Sequence, residues 1–318
     1  MIDGIGIIGG GVAGLTCGVV LSEASLPVTI WAREPWPRTT SSVAAAIWHP
    51  FHAYPIDQVM AWSGATYQVL VKLADDPTSG VVLQTGRELF RYPADEPPWR
   101  DIVRLFRRLR PDELQPPVVD GFVFEAPIME TPRYLGYLLD RFTQAGGTFV
   151  QRTLASINEA CEDRRLVINC SGLGARELVG DGSMYPIRGQ ILRLAPRADV
   201  SFFLDDHGPH STVYVIPRAD GIVCGGTVDV DNWDTTPDSA TAARIQRDCA
   251  ALIPGLADEP VLEHKVGLRP GRPAVRLEAE QLAEGKVVVH NYGHGGSGFT
   301  LSWGCAQDVL QLVQQYLA

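Results

Sequence analysis

The sequence predicts an α/β fold in which a Rossmann-like dinucleotide-binding domain is interleaved with a β-rich second domain. Residues 4–31 have the pattern of an apolar strand, a glycine-rich turn, an apolar helix and a second strand, which is typical of the unit that opens nucleotide-binding domains. Residues 186–268 instead hold short strand-like runs separated by proline and glycine. The two kinds of segment alternate along the chain, so both domains are predicted to be discontinuous.

The 318 residues are too many for one small core and suit two domains of medium size. We assign residues 1–50, 140–185 and 270–318 to the dinucleotide-binding domain. Residues 51–139 and 186–269 are assigned to the β-rich domain.

Hydrophobic periodicity and local signals predict the individual elements. Thr131 and Pro132 form a typical helix start, and Gly146 and Gly147 mark the end of that helix. Apolar residues at helical spacing predict a further helix over residues 101–109. The predicted strands are 4–9, 28–31, 166–170, 187–194, 212–216, 222–224, 261–266 and 286–290, and the other predicted helices are 15–21, 131–144 and 306–317.

Composition excludes several classes of protein. The chain has 37 acidic and 27 basic residues, a net charge of −10, so it lacks the general basic footprint of a nucleic-acid-binding protein. Its six cysteines form no C-x-x-C pair, which argues against a disulfide framework or a zinc cluster and fits a reducing compartment. No apolar run approaches 18 residues, and the N-terminus lacks the features of a signal peptide. We therefore expect a cytoplasmic protein with no membrane, nucleic-acid or metal partner.

The first chemical motif is Gly9-x-Gly11-x-x-Gly14, which follows a predicted strand and opens a predicted helix. Its glycines allow a tight turn, close approach of the backbone to a pyrophosphate, and close packing of helix on strand. The helix N-terminus adds unpaired N–H groups and a positive dipole end. Glu34 follows Gly14 by twenty residues, at the end of the second strand, where it can accept a ribose hydroxyl. The motif predicts a dinucleotide but does not choose between FAD and NAD.

Three further blocks could carry chemistry. Residues 38–48 place hydroxyls before small apolar residues, which suits a phosphate or a flat ring. Residues 290–300 concentrate four glycines between a strand and the last helix, where stacked N–H groups suit an anion or a ring edge. Residues 265–273 hold Arg269 and Arg272 between prolines, and a stiff backbone would aim a guanidinium at a carboxylate.

These four blocks, in this order, resemble the D-amino-acid oxidase family, including its D-aspartate oxidase branch. Residues 169–176, 188–190 and 303–306 match as well, and the resemblance covers essentially the whole chain. It implies non-covalent FAD in the dinucleotide-binding domain and a substrate site in the β-rich domain. It also implies oxidation of D-amino acids by O2 to 2-oxo acids, ammonia and H2O2, with hydride transfer from Cα to flavin N5.

The resemblance also implies roles for individual residues. Arg269 matches the arginine that grips the substrate α-carboxylate, Tyr214 matches the tyrosine that hydrogen-bonds it, and the Gly296 carbonyl falls where the α-amino group is held. The residues matching the cofactor site are Gly9, Gly11, Val12, Ala13, Gly14, Arg33, Glu34, Thr39, Thr40, Ser41, Ala46, Ile47, Gly172, Gly295, Gly296, Ser297, Gly298, Phe299 and Thr300.

The side-chain end of the site departs from the family pattern. His210 stands where many members have a second tyrosine, and Val228 stands where the D-aspartate branch has an arginine. A carboxylate side chain would need a cation, which Val228 does not offer, so neutral D-amino acids are expected to be preferred. His52 or His210 could instead protonate and bind an acidic side chain.

Three alternatives remain open at this stage. The first is a D-aspartate or D-glutamate oxidase. The second is a related FAD amine oxidase or dehydrogenase acting on sarcosine, glycine or a biosynthetic amino acid, and the third is a flavin-binding protein without activity. The predicted partners are a small D-amino acid and O2, and a homodimer is one option for the assembly.

Overall fold

The computed structural model describes residues 4–34, 36–51, 53–206 and 212–317. His52 and His210, two of the predicted substrate-pocket residues, lie outside the described residues. The strands are β1 (Ile5–Ile8), β2 (Val28–Ala32), β3 (Val81–Phe90), β4 (Phe106–Arg108), β5 (Asp120–Met129), β6 (Thr148–Gln151), β7 (Leu166–Asn169), β8 (Tyr185–Leu194), β9 (Phe203–Asp206), β10 (Thr212–Arg218), β11 (Gly221–Gly225), β12 (Asp229–Val230), β13 (Val261–Gly271), β14 (Arg276–Gln281) and β15 (Val287–Tyr292). The helices are α1 (Val12–Glu23), α2 (Ile56–Leu73), α3 (Thr131–Gln144), α4 (Ile157–Asp163), α5 (Ala175–Leu178), α6 (Ser239–Leu252) and α7 (Gly298–Leu317).

A six-stranded sheet has the order β14-β15-β7-β1-β2-β6. Its strand pairs are parallel except β14–β15, which is antiparallel. β1 lies in the middle, with Ile5 in register with Val28 on one side and Leu166 on the other. β1 and β7 are buried along their whole length, as short apolar strands covered on both faces are. The carboxyl ends of these parallel strands form the edge where an open α/β sheet binds its ligand.

Helix α1 begins at Val12, directly after the glycine turn, and most of its residues are buried. It packs against both α3 and α7, which explains why it is apolar on nearly all sides. Gly18 makes this close packing possible, since a Cβ there would lie 2.8 Å from Ile30 and 3.0 Å from Phe142. α2 packs against α7 on the same side of the molecule.

A nine-stranded sheet has the order β12-β8-β11-β10-β9-β3-β5-β4, with β13 also pairing with β8. Its pairs are antiparallel except β3–β9, which is parallel. α6 covers one face, where Ile245 and Cys249 pack with Val215 and Cys224. The opposite face carries residues of the candidate site. The prediction of an α/β fold that interleaves a parallel-stranded sheet with a separate β-rich region is confirmed.

Most predicted elements are found close to their predicted bounds, but the helix over residues 101–109 is wrong. Turns occupy residues 98–102, and Phe106–Arg108 forms β4 on the edge of β5. Phe106, one of the apolar residues that had helical spacing, lies in this edge strand and packs against Trp99 and Phe122. Periodicity alone does not separate these two cases over a short segment.

The division into two domains stays a prediction. α2 falls by number in the range assigned to the β-rich domain, yet it packs on α7, which follows the glycine loop of the other domain. Within the described residues, no helix combines the length and the apolar character needed to cross a bilayer.

Candidate active site

A cavity of about 780 Å³ joins the carboxyl edge of the six-stranded sheet to one face of the nine-stranded sheet. Residues 8–13 line one end of it, and Tyr214 and Arg269 line the other. The glycine loop before α7 lines the space between them.

The glycine turn after β1 is sterically restricted to glycine at two of its positions. Gly9 has a φ of +118°, and a Cβ there would lie 2.3 Å from the Cys170 carbonyl oxygen. A Cβ at Gly14 would lie 1.9 Å from the Gly9 carbonyl oxygen, so the first turn of α1 packs directly on the loop. Gly14 itself does not line the cavity, because it lies behind Gly9. The turn leaves an N-terminal helix end, with its positive dipole, open to the cavity.

The hydroxyl-rich segment 39–43 lies against this turn. Ser41 Oγ accepts a hydrogen bond of 3.0 Å from the Val12 backbone N–H. A Cβ at Gly11 would lie 3.0 Å from the same Ser41 oxygen. Thr39, Thr40 and Ser41 all line the cavity, so this end presents backbone N–H groups and hydroxyls together.

Glu34 follows β2 by two residues and lines the cavity beside Arg33. Its carboxylate lies 3.5 Å from Arg38 Nε, an exposed pair that leaves oxygen atoms available to a hydroxyl ligand. Arg152, which the sequence analysis missed, lines the same end and lies over the Trp31 ring, 5.7 Å from its centroid. Only the pairing of β6 with β2 brings Arg152 here, so no local sequence signal predicts it.

These residues fit a dinucleotide. Any side chain at Gly9 would meet backbone atoms, the helix end supplies N–H donors for a pyrophosphate, and Glu34 offers an acceptor for a ribose hydroxyl. The cavity continues past this end along Ala46, Ile47 and Gly172 toward the glycine loop, which leaves room for a ring system beyond the phosphates.

The glycine loop 293–296 connects β15 to α7 and contacts the end of β13. Gly293 and Gly295 have φ values of +81° and +56°. The Gly295 N–H donates a hydrogen bond of 2.8 Å to the Pro270 carbonyl, directly after Arg269. Gly295, Gly296, Gly298 and Phe299 line the cavity, so the loop and the arginine strand meet at one place.

Ser297 and Thr300 were predicted as cofactor residues, but neither lines the cavity. Ser297 Oγ accepts a hydrogen bond from the Phe51 N–H and donates one to the Phe51 carbonyl, both 2.7 Å. Thr300 Oγ1 accepts from the His49 N–H at 3.1 Å and donates to the His49 carbonyl at 3.0 Å. The start of α7 therefore holds segment 49–51, and two of that segment's residues, His49 and Phe51, line the cavity.

Arg269, on β13, lies over β8 at Gly189. A Cβ at Gly189 would lie 2.5–2.6 Å from three atoms of the guanidinium. Arg269 Nη1 donates a hydrogen bond of 3.0 Å to the Thr227 carbonyl, which fixes the direction of the side chain. Gly189, Arg269 and Val228 all line the cavity.

Tyr214, on β10, lies on a flat surface made by two glycines of the neighbouring strand end. A Cβ at Gly225 would lie 2.2 Å from the ring and one at Gly226 2.7 Å from it. Burial raises the pKa of Tyr214 above its usual range, although the nearby Arg269 charge acts in the opposite direction. The hydroxyl is therefore neutral at physiological pH and able to donate a hydrogen bond beside Arg269.

His49 and Glu88 form a polar pair in the cavity wall that the sequence analysis missed. His49 Nε2 lies 3.1 Å from Glu88 Oε1, and their side chains are 16% and 10% exposed. The Nε2 atom nevertheless makes no hydrogen bond of acceptable geometry to any of the described residues. Glu88 is a charged residue in the buried end of β3. A charged residue in an otherwise apolar stretch was a sequence signal that could have indicated a functional site.

His294 belongs to the glycine loop and lines the cavity, and its burial lowers its pKa to about 4. Its Nε2 lies 3.0 Å from Asn291 Oδ1. The contact with Cys17, together with burial, raises the pKa of the Cys170 thiol well above its usual range. Within the described ranges, no three His, Cys, Asp or Glu side chains converge as metal ligands would.

The structure brings most of the predicted site residues to this one cavity. Outside it are Gly14, Ser297 and Thr300, with the contacts described above, and His52 and His210, which are not among the described residues. The predicted residues that line the cavity are Gly9, Gly11, Val12, Ala13, Arg33, Glu34, Thr39, Thr40, Ser41, Ala46, Ile47, Gly172, Tyr214, Val228, Arg269, Gly295, Gly296, Gly298 and Phe299.

The chain is similar in sequence to known flavoenzymes. A model of the family described as FAD dependent oxidoreductase (DAO) matches residues 5–312. A protein of Rubrobacter xylanophilus named D-amino-acid oxidase is 51% identical over 307 residues, which cover 96% of this chain and 94% of that protein. A D-amino-acid oxidase of Dictyostelium discoideum is 42% identical over 319 residues, covering 98% of this chain and 91% of that protein.

Among solved structures, a glycine oxidase from Geobacillus kaustophilus superposes with a TM-score of 0.81 at 19% identity, covering 99% of this chain and 95% of that chain. An L-proline dehydrogenase from P. horikoshii superposes with a TM-score of 0.76 at 16% identity, covering 98% of this chain and 93% of that chain. At these identities the likeness concerns the fold, and it is the same two-sheet architecture.

Proposed function

This chain belongs to the FAD dependent oxidoreductase (DAO) family, and on that premise we propose that it oxidises D-amino acids with O2 and water to 2-oxo acids, ammonia and H2O2. The observation that carries the proposal is the position of Arg269 and Tyr214. They lie at the far end of the same cavity whose near end fits a dinucleotide. The names of the relatives from Rubrobacter xylanophilus and Dictyostelium discoideum support the same activity.

FAD is the cofactor, and the chemistry that it supplies when bound is acceptance of a hydride and return of the electrons to O2. The glycine turn at Gly9–Gly11 and the N-terminus of α1 would hold its pyrophosphate, and Glu34 its adenosine ribose. Ser41, Ala46 and Ile47 would lie along it toward the glycine loop. Glu34 follows the strand next to β1, and this position supports the proposed role of its carboxylate.

Arg269 and Tyr214 would bind the α-carboxylate of the substrate. A guanidinium pairs with a carboxylate through two parallel N–H···O bonds, and such charge-assisted bonds strengthen where water is excluded. The hydrogen bond from Arg269 to the Thr227 carbonyl holds the guanidinium before substrate arrives. Tyr214, neutral and flat on its two glycines, would add a hydroxyl donor.

The Gly296 carbonyl would accept a hydrogen bond from the α-amino group. Phe51 packs beside Gly296, since a Cβ at that glycine would lie 2.8 Å from the Phe51 ring. Carboxylate, amino group and side chain would then be held at three places, which orients the Cα–H in one direction only. Fixed orientation of this kind contributes a large part of the rate enhancement, and the scheme needs no acid or base at Cα.

Neutral side chains should be preferred over acidic ones. Val228 gives the cavity an apolar wall, and Glu88 places a carboxylate in it. The cavity-lining Asp205 already pairs with Arg91, whose Nε lies 3.1 Å from Oδ1 and whose Nη2 lies 2.5 Å from Oδ2. A substrate carboxylate at this end would meet like charges, and burying it without a cation costs several kcal/mol.

The test is a substrate panel with two readouts. Hydrogen peroxide produced in air and bleaching of the FAD absorbance without O2 should appear with D-alanine, D-valine and D-methionine. L-Amino acids, sarcosine and glycine should give much lower kcat/KM. Preference for sarcosine or glycine would assign a related amine oxidase, bleaching without peroxide would assign a dehydrogenase, and a tenfold preference for D-aspartate or D-glutamate would assign the acidic branch.

Two expectations concern the whole protein. We propose a cytoplasmic location, which is supported by six free cysteines, all buried and none paired in a disulfide. We also propose a homodimer, and the molar mass of the FAD-loaded protein from sedimentation equilibrium tests this assembly.

A further inference from the structure

We propose that Glu88, positioned by His49, forms the distal end of the substrate side-chain site and selects D-amino acids with a cationic side chain over neutral ones of equal length. The inference rests on the proposed function, because it assumes that Arg269 and Tyr214 hold the α-carboxylate. It names the class of side chain that the remaining part of the cavity fits.

The first observation is the register of three neighbouring strands. Tyr214 of β10 is paired with Leu204 of β9, and Leu204 is paired with Glu88 of β3. Side chains in register on adjacent strands lie on the same face of a sheet, and all three residues line the cavity. Since strands lie about 4.8 Å apart, the Cα atoms of Tyr214 and Glu88 are separated by roughly 10 Å.

The second observation is the order of the groups along this row. The phenol of Tyr214 comes first, the apolar side chain of Leu204 lies in the middle, and the carboxylate of Glu88 comes last. A side chain of three or four methylene groups that ends in an ammonium has the matching order. Its methylenes would lie on Leu204 and its charge would reach Glu88.

The third observation is the incomplete bonding of Glu88. Its side chain is 90% buried, since only 10% is exposed, and the described residues offer it His49 as an ion-pair partner. The His49 Nε2 atom at 3.1 Å lacks hydrogen-bond geometry. A buried carboxylate without well-aligned donors carries a desolvation penalty, and an ammonium ligand with three N–H donors would relieve it.

His49 lies against the Glu88 carboxylate and is itself held in place by its neighbours. Thr300 bonds both the N–H and the carbonyl of His49, which holds this residue against the start of α7. The imidazole also lies edge-on to the Trp99 ring, with the centroids 5.6 Å apart. We therefore assign His49 a positioning role and Glu88 the contact with the substrate side chain.

The experiment compares D-lysine with D-norleucine, which has nearly the same length and no ammonium. The ratio of their kcat/KM values is measured for the FAD-loaded wild type and for Glu88→Gln, Glu88→Asp and Glu125→Gln. Glu125 is the matched control because it lies on β5 of the same sheet, has a buried carboxylate oxygen and does not line the cavity.

For the wild type we expect the kcat/KM for D-lysine to be several-fold higher than that for D-norleucine, and an equal or lower value would reject the proposal. Glu88→Gln should lower the ratio about tenfold or more, while D-norleucine stays within about threefold of wild type. Glu88→Asp should keep part of the preference because it keeps the charge. Glu125→Gln should leave the ratio unchanged. Thermal unfolding and FAD content show that each variant is folded.

Other outcomes overturn the inference in distinguishable ways. If Glu88→Gln lowers kcat/KM equally for both substrates, Glu88 supports the fold and does not recognise the substrate side chain. If Glu88→Gln does not fold, the wild-type comparison decides, and a kcat/KM for D-lysine equal to or below that for D-norleucine rejects the proposal. If the protein oxidises D-alanine normally and Glu88→Gln does not change the D-lysine to D-norleucine ratio of kcat/KM, this inference is rejected and the proposed function stands. If no D-amino acid bleaches FAD, the proposed function fails, and this inference fails with it.

Discussion

The Arg269 guanidinium lies directly on the backbone of Gly189, at a separation that leaves no room for a methyl group. A Cβ at Gly189 would lie 2.5 Å from both Nη atoms and 2.6 Å from Cζ. Because Gly189 has no side chain, the guanidinium packs directly on the backbone of β8. The hydrogen bond to the Thr227 carbonyl fixes the direction of the guanidinium.

Gly189→Ala should therefore displace Arg269 without removing it. We expect KM for D-alanine to rise roughly tenfold or more, because misplacing a positioning group by about an ångström weakens both binding and orientation. FAD content should stay normal. Gly136→Ala, in α3, is the control, since a Cβ there meets no atom of the described residues within 4 Å. Unchanged kinetics in Gly189→Ala would show that Arg269 does not hold the substrate.

Arg269→Ala should damage catalysis far more than folding. The lost charge-assisted pair contributes about 1.5–3 kcal/mol, so KM should rise roughly tenfold or more, and kcat should fall as the Cα–H loses its orientation. Steady-state kinetics with D-alanine and an absorbance measurement of bound FAD separate the two effects. Near-normal kcat/KM in a variant that still binds FAD would remove Arg269 from the site.

FAD should be held without a covalent bond. Among the described residues, Cys170 is the cysteine that lines the cavity, and its raised pKa keeps it as a poorly nucleophilic thiol. Acid precipitation of the purified yellow protein should release the flavin into the supernatant, where its absorbance and mass identify it as FAD. Yellow colour that remains in the pellet would contradict this expectation.

Stability should fall as the pH drops below about 6.5, because His294 resists protonation in the folded protein. Its folded pKa of about 4 lies below the ordinary value of 6.5, so the unfolded chain binds more protons between these values. This linkage predicts a loss of about 2 kcal/mol between pH 7 and pH 5.

The measurement is urea unfolding of the FAD-saturated protein at both pH values. His294→Gln keeps a group able to bond Asn291 and should reduce the loss. Some slope should remain, since burial also lowers the pKa of His290. An equal loss in wild type and His294→Gln would assign the acid sensitivity to other groups.

Ser297→Ala should loosen the cavity wall. The hydroxyl makes two hydrogen bonds of 2.7 Å to the Phe51 backbone, and its removal leaves a donor and an acceptor unpaired. We expect a loss of about 1–3 kcal/mol in the free energy of unfolding and a weaker affinity for D-alanine. The control is Ser183→Ala, on a loop away from the cavity, and equal effects of the two substitutions would reject the role of Ser297.

The elements of this fold that depend on neighbours in sequence were predictable. The strand, glycine turn and helix around Gly9–Gly14 follow from local sterics and apolar runs, and α3 starts at Thr131 and ends before Gly146 as predicted, although Glu130 and not Thr131 is its N-cap. The stretch that became β4 was mistaken for a helix because its partner strand β5 begins twelve residues after Phe106–Arg108 and is invisible to a local pattern.

The substrate end of the cavity was only partly predictable for a similar reason. Arg269 and Tyr214 each lie in a local sequence motif, so both could be identified from the sequence. His49 and Glu88 are 39 residues apart, and they meet through the pairing of β3 with β9 and the bonds from Thr300. Register between distant strands is set by the whole sheet, so local spacing does not encode such a pair.

The strand order of the six-stranded sheet has a consequence for synthesis on the ribosome. β1 is made before its neighbour β7, which follows some 160 residues later, and β15 and α7 follow more than 110 residues after β7. Until then the apolar surface of α1 that α7 covers stays without its partner. Contacts between such distant residues form slowly, and the exposed intermediate is prone to aggregate. We therefore expect the nascent chain to be prone to aggregation until α7 has emerged.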